Sequence, residues 1–257
     1  MIHLRSVRVR NPDALPDGFP FDLPIVRTLD EIDFTKPVTF LVGENGCGKS
    51  TLLEAIASSA NLPTIGSVAI EKDETLDSAQ ALGRHLVLSW GKRSHRGFYL
   101  RSEDFFGFAL NTVRAIDELG EIAKEYEPGS YAHSVVMGQR GALAQKYGDL
   151  NTRSHGESFF QVFAERFTAN GLYLLDEPEV ALSPQRLIPL MVLIKDVVAQ
   201  DAQFIIATHS PMLMAFPGAT ILHLSAAGVQ EQAYDEVEHV QMTRDFLANP
   251  DLFLRHI

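Results

Sequence analysis

The sequence predicts an α/β fold in which a mixed β-sheet is flanked by helices and carries a short helical insert. Three stretches predict it. Val38-Thr39-Phe40-Leu41-Val42 is a continuous apolar run that leads through a glycine-rich turn into a helical pattern, Leu52 to Ala57. Gly171 to Leu175 is a second such run and ends in Asp176-Glu177-Pro178. Gln203 to Thr208 follows one helical segment later and delivers His209. Runs of this kind read as strands buried on both faces of a parallel sheet, and ligands of such sheets bind at the carboxyl ends of the strands.

Composition sets the bounds. With 257 residues and 46% hydrophobic content the chain can bury a sizeable core and is not a disordered polymer. The net charge of −11 argues against a strongly basic nucleic-acid coat but leaves a local basic patch open. Cys47 is the only cysteine, which excludes an intramolecular disulfide and a cysteine-rich zinc site and points to a reducing compartment. No apolar run approaches the ~18 residues of a membrane span. Residues 1–10 alternate charge with apolarity rather than forming a signal peptide, so the expectation is a cytoplasmic chain without a transmembrane segment.

Taken in order, Ile2 to Arg10 reads as a half-exposed edge strand with Ile2, Leu4, Val7 and Val9 apolar and a phase slip near Ser6. Residues 11–24 carry four prolines and read as loop, in which Phe19 and Phe21 could stack on a base or plug the core. Ile25 to Phe34 reads as a second strand. Leu86 to Trp90 and Gly97 to Leu100 read as two strands joined by a basic hairpin tip, Gly91 to Arg96, which is a solvated turn or a phosphate-backbone contact. The spacing of Phe106, Leu110, Val113, Ile116 and Leu119 predicts an amphipathic helix within 102–127, ending at Pro128-Gly129. The glycine-interrupted stretch from Tyr131 to Asn151 is left unassigned. Ser183-Pro184 predicts a capped helix start for Gln185 to Ala199. Thr220 to Leu224 and Gly228 to Tyr234 read as a hairpin, and two short helices follow around Asn249-Pro250, with Phe246, Leu247, Leu252, Phe253 and Leu254 expected to pack rather than to dock a partner. The whole reads as a single domain, 1–257, with an insert over 102–168.

The chemistry is concentrated in three places. Gly43-Glu44-Asn45-Gly46-Cys47-Gly48-Lys49-Ser50-Thr51 has the G-x-x-x-x-G-K-S spacing of a phosphate-binding loop. Its glycines let main-chain N–H groups and the helix N-terminus converge on one anion. Lys49 would meet the terminal phosphates and Ser50 would offer its hydroxyl to Mg²⁺, a hard cation that takes few protein oxygens. Asp176 would lie near that metal. Glu177 would polarise an attacking water, and His209 should emerge on the same rim to contact the γ-phosphate. The third place is Arg153-Ser154-His155-Gly156-Glu157, just before an apolar helical pattern.

These segments, in this order, resemble the Walker A, signature, Walker B and switch-histidine motifs of ABC-type ATPases over residues 38–215. Within that superfamily the chain looks like the soluble branch that includes SMC and RecF-like ATPases, and is similar to bacterial predicted ATPases with Ser154-His155-Gly156-Glu157 in place of the usual signature. The resemblance implies ATP and Mg²⁺ as cofactors and an ATP-sandwiched homodimer in which Ser154 and Gly156 act on the partner's nucleotide. His155 and Arg153 depart from the signature, Ser183 stands where the D-loop aspartate is usual, and Arg101, Ser102 and Glu103 stand where a glutamine would ligate the metal. Three roles follow as expectations: an ATPase acting on nucleic acid or a protein partner, an ATP-gated interaction module with little turnover, or the ATPase subunit of a transporter.

Overall fold

In the computed structural model the structure describes residues 1–64, 77–101, 115–147 and 165–255. Nine strands are described: β1 (Leu4–Val9), β2 (Glu31–Asp33), β3 (Val38–Val42), β4 (Leu86–Trp90), β5 (Gly97–Arg101), β6 (Leu172–Asp176), β7 (Gln203–Ala207), β8 (Thr220–Ser225) and β9 (Gly228–Gln232). They form a three-stranded sheet in the order β2-β1-β4 and a six-stranded sheet in the order β5-β6-β7-β3-β8-β9. The larger sheet is parallel from β5 to β8, with β9 antiparallel at its edge. The mixed sheet is therefore as expected.

The helices are α1 (Pro24–Thr28), α2 (Lys49–Ala60), α3 (Asp77–Gly83), α4 (115–124), α5 (Tyr131–Tyr147), α6 (Pro184–Val198), α7 (Pro211–Met214), α8 (Glu238–Ala248) and α9 (Pro250–Leu254). Both faces of the large sheet are covered. Phe40, Tyr173, Leu175, Phe204 and Ile206 face α6 through its Leu187, Leu190, Ile194 and Val197. Leu41, Leu172, Leu174, Ile205 and Ala207 face α2 through Leu52, Leu53 and Ile56. Burying each of these large side chains contributes about 1.5–3 kcal/mol, so β3, β6 and β7 are held in one rigid layer.

Four expectations are corrected, and the unassigned stretch from Tyr131 is resolved over Tyr131–Tyr147. β1 is the centre of its sheet rather than an edge, paired with β2 and β4, and its phase slip is a register shift between Leu4 and Ser6. Ile25 to Phe34 is not one strand: Pro24 opens α1, which buries Ile25 and Val26 side by side, and only Glu31–Asp33 is extended. Adjacent buried residues suit a helix docked on the core better than an alternating strand. Gly91 to Arg96 is not a hairpin tip, because β4 pairs with β1 and β5 with β6, so the loop crosses between sheets. Tyr131–Tyr147 is a continuous helix; Gly138 and Gly141 in it have open space where a side chain would stand. Finally, Leu247, Leu252, Phe253 and Leu254 are exposed and Phe246 is scarcely covered, so the apolar residues of α8 and α9 do not fill the core.

The two sheets are joined by a polar side chain. The fully buried Gln203 accepts from the main-chain N–H of His3 and of Leu4 and donates to the Leu4 carbonyl. Three hydrogen bonds on one buried amide satisfy groups whose burial would otherwise be costly. β1 is thereby tied to the start of β7. The part of the insert over 102–114 and 148–164 lies outside the described residues.

Candidate functional site

The site is built at the carboxyl ends of β3, β6 and β7. After Val42 the chain turns through Gly43 (φ 148°), Gly46 (φ 77°) and Gly48 (φ 102°), backbone conformations that residues with a Cβ adopt at a cost. At Gly43 a Cβ would also collide with the Leu224 carbonyl, and at Gly48 it would stand 2.8 Å from Cγ2 of Ile25. The loop is thus pressed against β8 on one side and α1 on the other. Glu44, Asn45 and Gly46 are exposed, and Cys47 is half-buried. Lys49 is 5% exposed and donates to the carbonyls of Gly43 and Glu44, each at 2.9 Å, so its ammonium is held against the loop. Ser50 and Thr51 follow in the first turn of α2.

Asp176 ends β6 and is 8% exposed. Its pKa is pushed up to about 6, chiefly by burial and also by the neighbouring Glu177, against a side-chain hydrogen bond with Ser50 and the charges of Lys49 and Arg101. Oδ1 of this carboxylate is buried and has no hydrogen-bond partner. An orphaned carboxylate oxygen beside a serine hydroxyl fits a hard divalent cation. Among the described residues no three His, Cys, Asp or Glu side chains cluster as a metal site. A cation here would therefore complete its shell with water and phosphate oxygens.

Glu177 adopts the left-handed conformation (φ 46°) and is pinned by its N–H to the Ala207 carbonyl at 2.9 Å. Its Oε1 lies 3.7 Å from Nε2 of His209. Burial lowers the pKa of His209, with Lys49 and His239 adding to the effect and Glu177 opposing it. Adjacent parallel strands account for the meeting: β6 and β7 pair with Asp176 opposite Ala207, so the residues beyond each strand end emerge together.

Lys49, Ser50, Asp176, Glu177 and His209 are therefore gathered on one rim. Ser154 and Gly156 lie outside the described residues, as do Ser102 and Glu103. Arg101, at the end of β5, is paired with Glu54 of α2, Nε to Oε1 at 3.1 Å. Ser183 precedes α6 but makes no side-chain capping bond. Of the two loop aromatics, Phe21 is buried against the core and Phe19 is 62% exposed.

Two site residues escaped the sequence reading. Glu179, two positions beyond Glu177, accepts through Oε1 from the Thr208 hydroxyl at 2.6 Å and from the N–H groups of His209 at 2.7 Å and Ser210 at 3.1 Å. The third acid of Asp176-Glu177-Pro178-Glu179 was a visible signal. His239, whose ring meets that of His209 at 4.8 Å and 70°, had none, being thirty residues away in sequence. A cavity of about 510 Å³ opens beside the phosphate loop, lined by Gly43 to Cys47, His223, Gln232, Glu236 and His239.

Comparison with known proteins accords with this geometry. Residues 25–60 match a family model described as "AAA domain", and residues 142–215 match one described as "AAA domain, putative AbiEii toxin, Type IV TA system". The chain is 26% identical over 240 residues to the "Cobalt import ATP-binding protein CbiO" of Salmonella paratyphi A, covering 88% of this chain and 84% of that protein. It is 28% identical over 182 residues to the "Nucleoside import ATP-binding protein NupA" of Lactococcus lactis, covering 66% of this chain and 32% of that one. Among solved structures, "An inward-facing conformation of a putative metal-chelate type ABC transporter" superposes with a TM-score of 0.51 at 17% identity, over 95% of this chain and 88% of the other. Among the described residues no helix is long and apolar enough to cross a membrane. The parallel-rich sheet, the phosphate loop on β3 and the acid pair on β6 give the chain a mixed α/β fold like that of ABC ATPase cassettes, and its sequence is similar to those of ATP-binding import proteins.

Proposed function

We propose that the chain binds ATP with Mg²⁺ and hydrolyses its terminal phosphate bond, as one half of an ATP-sandwiched homodimer. The observation that carries this reading is the buried, unpartnered Asp176 Oδ1 beside Ser50, on the same rim as Lys49, Glu177 and His209. The amides of Gly43 to Thr51 would cradle the phosphates, which would draw Lys49 from the carbonyls that hold it. Mg²⁺ held by Ser50 and near Asp176 would neutralise charge on the phosphate oxygens. Glu177 would accept the proton of the attacking water while the bond from the γ-phosphorus to the bridging oxygen breaks, and His209 would hold the γ-phosphate.

The soluble SMC- and RecF-like branch, with Ser154 and Gly156 completing the partner's site and nucleic acid or a protein as the object of the work, is our reading of the signature sequence and short insert. The relatives' names favour a second reading, the ATPase subunit of an importer. The test is Glu177→Gln, which keeps shape and loses the base. Hydrolysis should fall by about 100-fold or more while ATP is still bound, and Mg²⁺ with ATP, but not ADP, should yield a dimer. A Glu177→Gln protein that hydrolyses ATP at the native rate would overturn the catalytic assignment; one that stays monomeric with ATP at high concentration would overturn the homodimer. Co-purification with a membrane protein would favour the importer.

A further inference from the structure

We infer that His239 is a positioning residue for His209, which makes the segment from Tyr234 into α8 a working part of the site; this rests on the γ-phosphate role proposed for His209. Glu179 fixes the main chain of His209 and Ser210, but a main-chain clamp leaves the two side-chain torsions of the imidazole free. Nothing hydrogen-bonded holds the ring at Nε2, which is buried without a partner, and the Glu177 carboxylate at 3.7 Å is beyond hydrogen-bond length. What does bear on the ring is His239, edge to face at 4.8 Å and 70°. Contacts of this geometry are attractive and directional.

His239 is itself placed by rigid neighbours. Tyr234 donates its hydroxyl to the carbonyl of Pro211, two residues beyond His209, at 3.1 Å. Val237 and Val240, on either side of His239, are buried in the same cluster as Leu213 and Met214 of α7. The turn before α8 is closed by the Ala233 N–H to Glu236 Oε2 at 3.1 Å. Glu236 to His239 also line the cavity shared with Gly43 to Cys47, so the segment reaches from the phosphate loop to the switch histidine. The charged groups facing His209 are Lys49 from α2, Glu177 from the β6 turn and His239 from α8, with Glu179 beneath its main chain. Among the described residues, only His239 meets the ring of His209 with a ring of its own. Its removal lets the imidazole spread over rotamers and lose the aim that a phosphate contact requires.

The experiment uses the full chain. His239→Ala and the volume-filling His239→Leu should lower kcat for ATP by about tenfold, within the range that a misplacement of about 1 Å costs, with KM unchanged. His239→Phe, which keeps the ring edge, should restore most of the rate. In a His209→Ala background, His239→Ala should have no further effect. Independently of turnover, the imidazole NMR signals of His209 in the nucleotide-free protein, assigned by their loss in His209→Ala, should shift in the His239→Ala and His239→Leu proteins and return in the His239→Phe protein. Unmoved signals with unchanged kcat, or an equal fall in the His209→Ala background, would overturn the inference while leaving the role of His209 intact. If His209→Ala itself leaves kcat unchanged, the γ-phosphate role falls and the inference with it.

Discussion

Oε1 of Glu177 and Nε2 of His209 stand 3.7 Å apart although they are 32 positions apart in the chain, because the turns after β6 and β7 leave the carboxyl end of the sheet side by side. The main chains that carry the pair are fixed by separate devices: Glu177 is bent into the left-handed region and bonded to Ala207, and the N–H of His209 is bonded to Glu179. Such a left-handed residue costs about 1–2 kcal/mol, a cost the surrounding bonds offset.

Metal-free protein should lose stability as pH rises through Asp176. Its folded-state pKa of about 6 lies above the ordinary 3.8, so the folded form binds the proton more tightly. The stability contributed by this group is therefore fully present below pH 3.8 and is lost as pH rises through about 6. Asp176→Asn should remove this fall and raise stability at pH 7 by up to about 3 kcal/mol. Urea melts at pH 4 and pH 7 check it; an equal slope in both proteins would show that Asp176 is not the group responsible.

Gly43→Ala should disrupt the phosphate loop. The added methyl would collide with the Leu224 carbonyl in a backbone at φ 148°, so β8 or the loop must move. Gly138→Ala is the contrast: open space and a helix interior should make it stabilising by about 0.5–1 kcal/mol. Thermal melting and ATP binding of the two proteins compare them; a Gly43→Ala protein with native melting and binding would contradict the close packing of loop on β8.

Glu179→Ala should destabilise by about 2–4 kcal/mol, since it strips the acceptor from a hydroxyl and two N–H groups. Glu179→Gln keeps an acceptor oxygen and removes a carboxylate whose pKa is raised by burial, and whose Oε2 is buried without a partner. It should remain close to native in stability at neutral pH. Denaturant midpoints decide this, and similar losses in both variants would mean that the charge, rather than the acceptor geometry, matters.

Alkylation of Cys47 should prevent nucleotide binding. The thiol is half-buried and lines the cavity beside the loop, so a bulky adduct would occupy the space through which the phosphates would enter. ATP titration of alkylated protein, with Lys49→Ala as the non-binding reference, measures the loss. Binding equal to that of untreated protein would place the nucleotide elsewhere.

Much of the architecture was legible in the residues themselves. β3, β6 and β7 are continuous apolar runs because both faces of a parallel sheet are covered, and the glycines of 43–48 are needed wherever the backbone must take positive φ. Local pattern therefore located the loop, the acid pair and the strand that bears His209. It did not determine which strands are neighbours. Leu86 to Trp90 and Gly97 to Arg101 look like a hairpin in sequence but belong to different sheets, since Gln203 and the pairing with β1 and β6 settle their places. α1 is likewise a tertiary choice: Ile25 has strand character, yet it is buried against Gly48 from a helix. The exposure of Phe246 to Leu254, the three-donor bond of Glu179 and the His209–His239 contact arise only when remote segments meet. Chain pattern encodes periodicity and turn chemistry over a few residues, whereas the partners of a buried carboxylate or an imidazole are fixed by packing across the whole sheet.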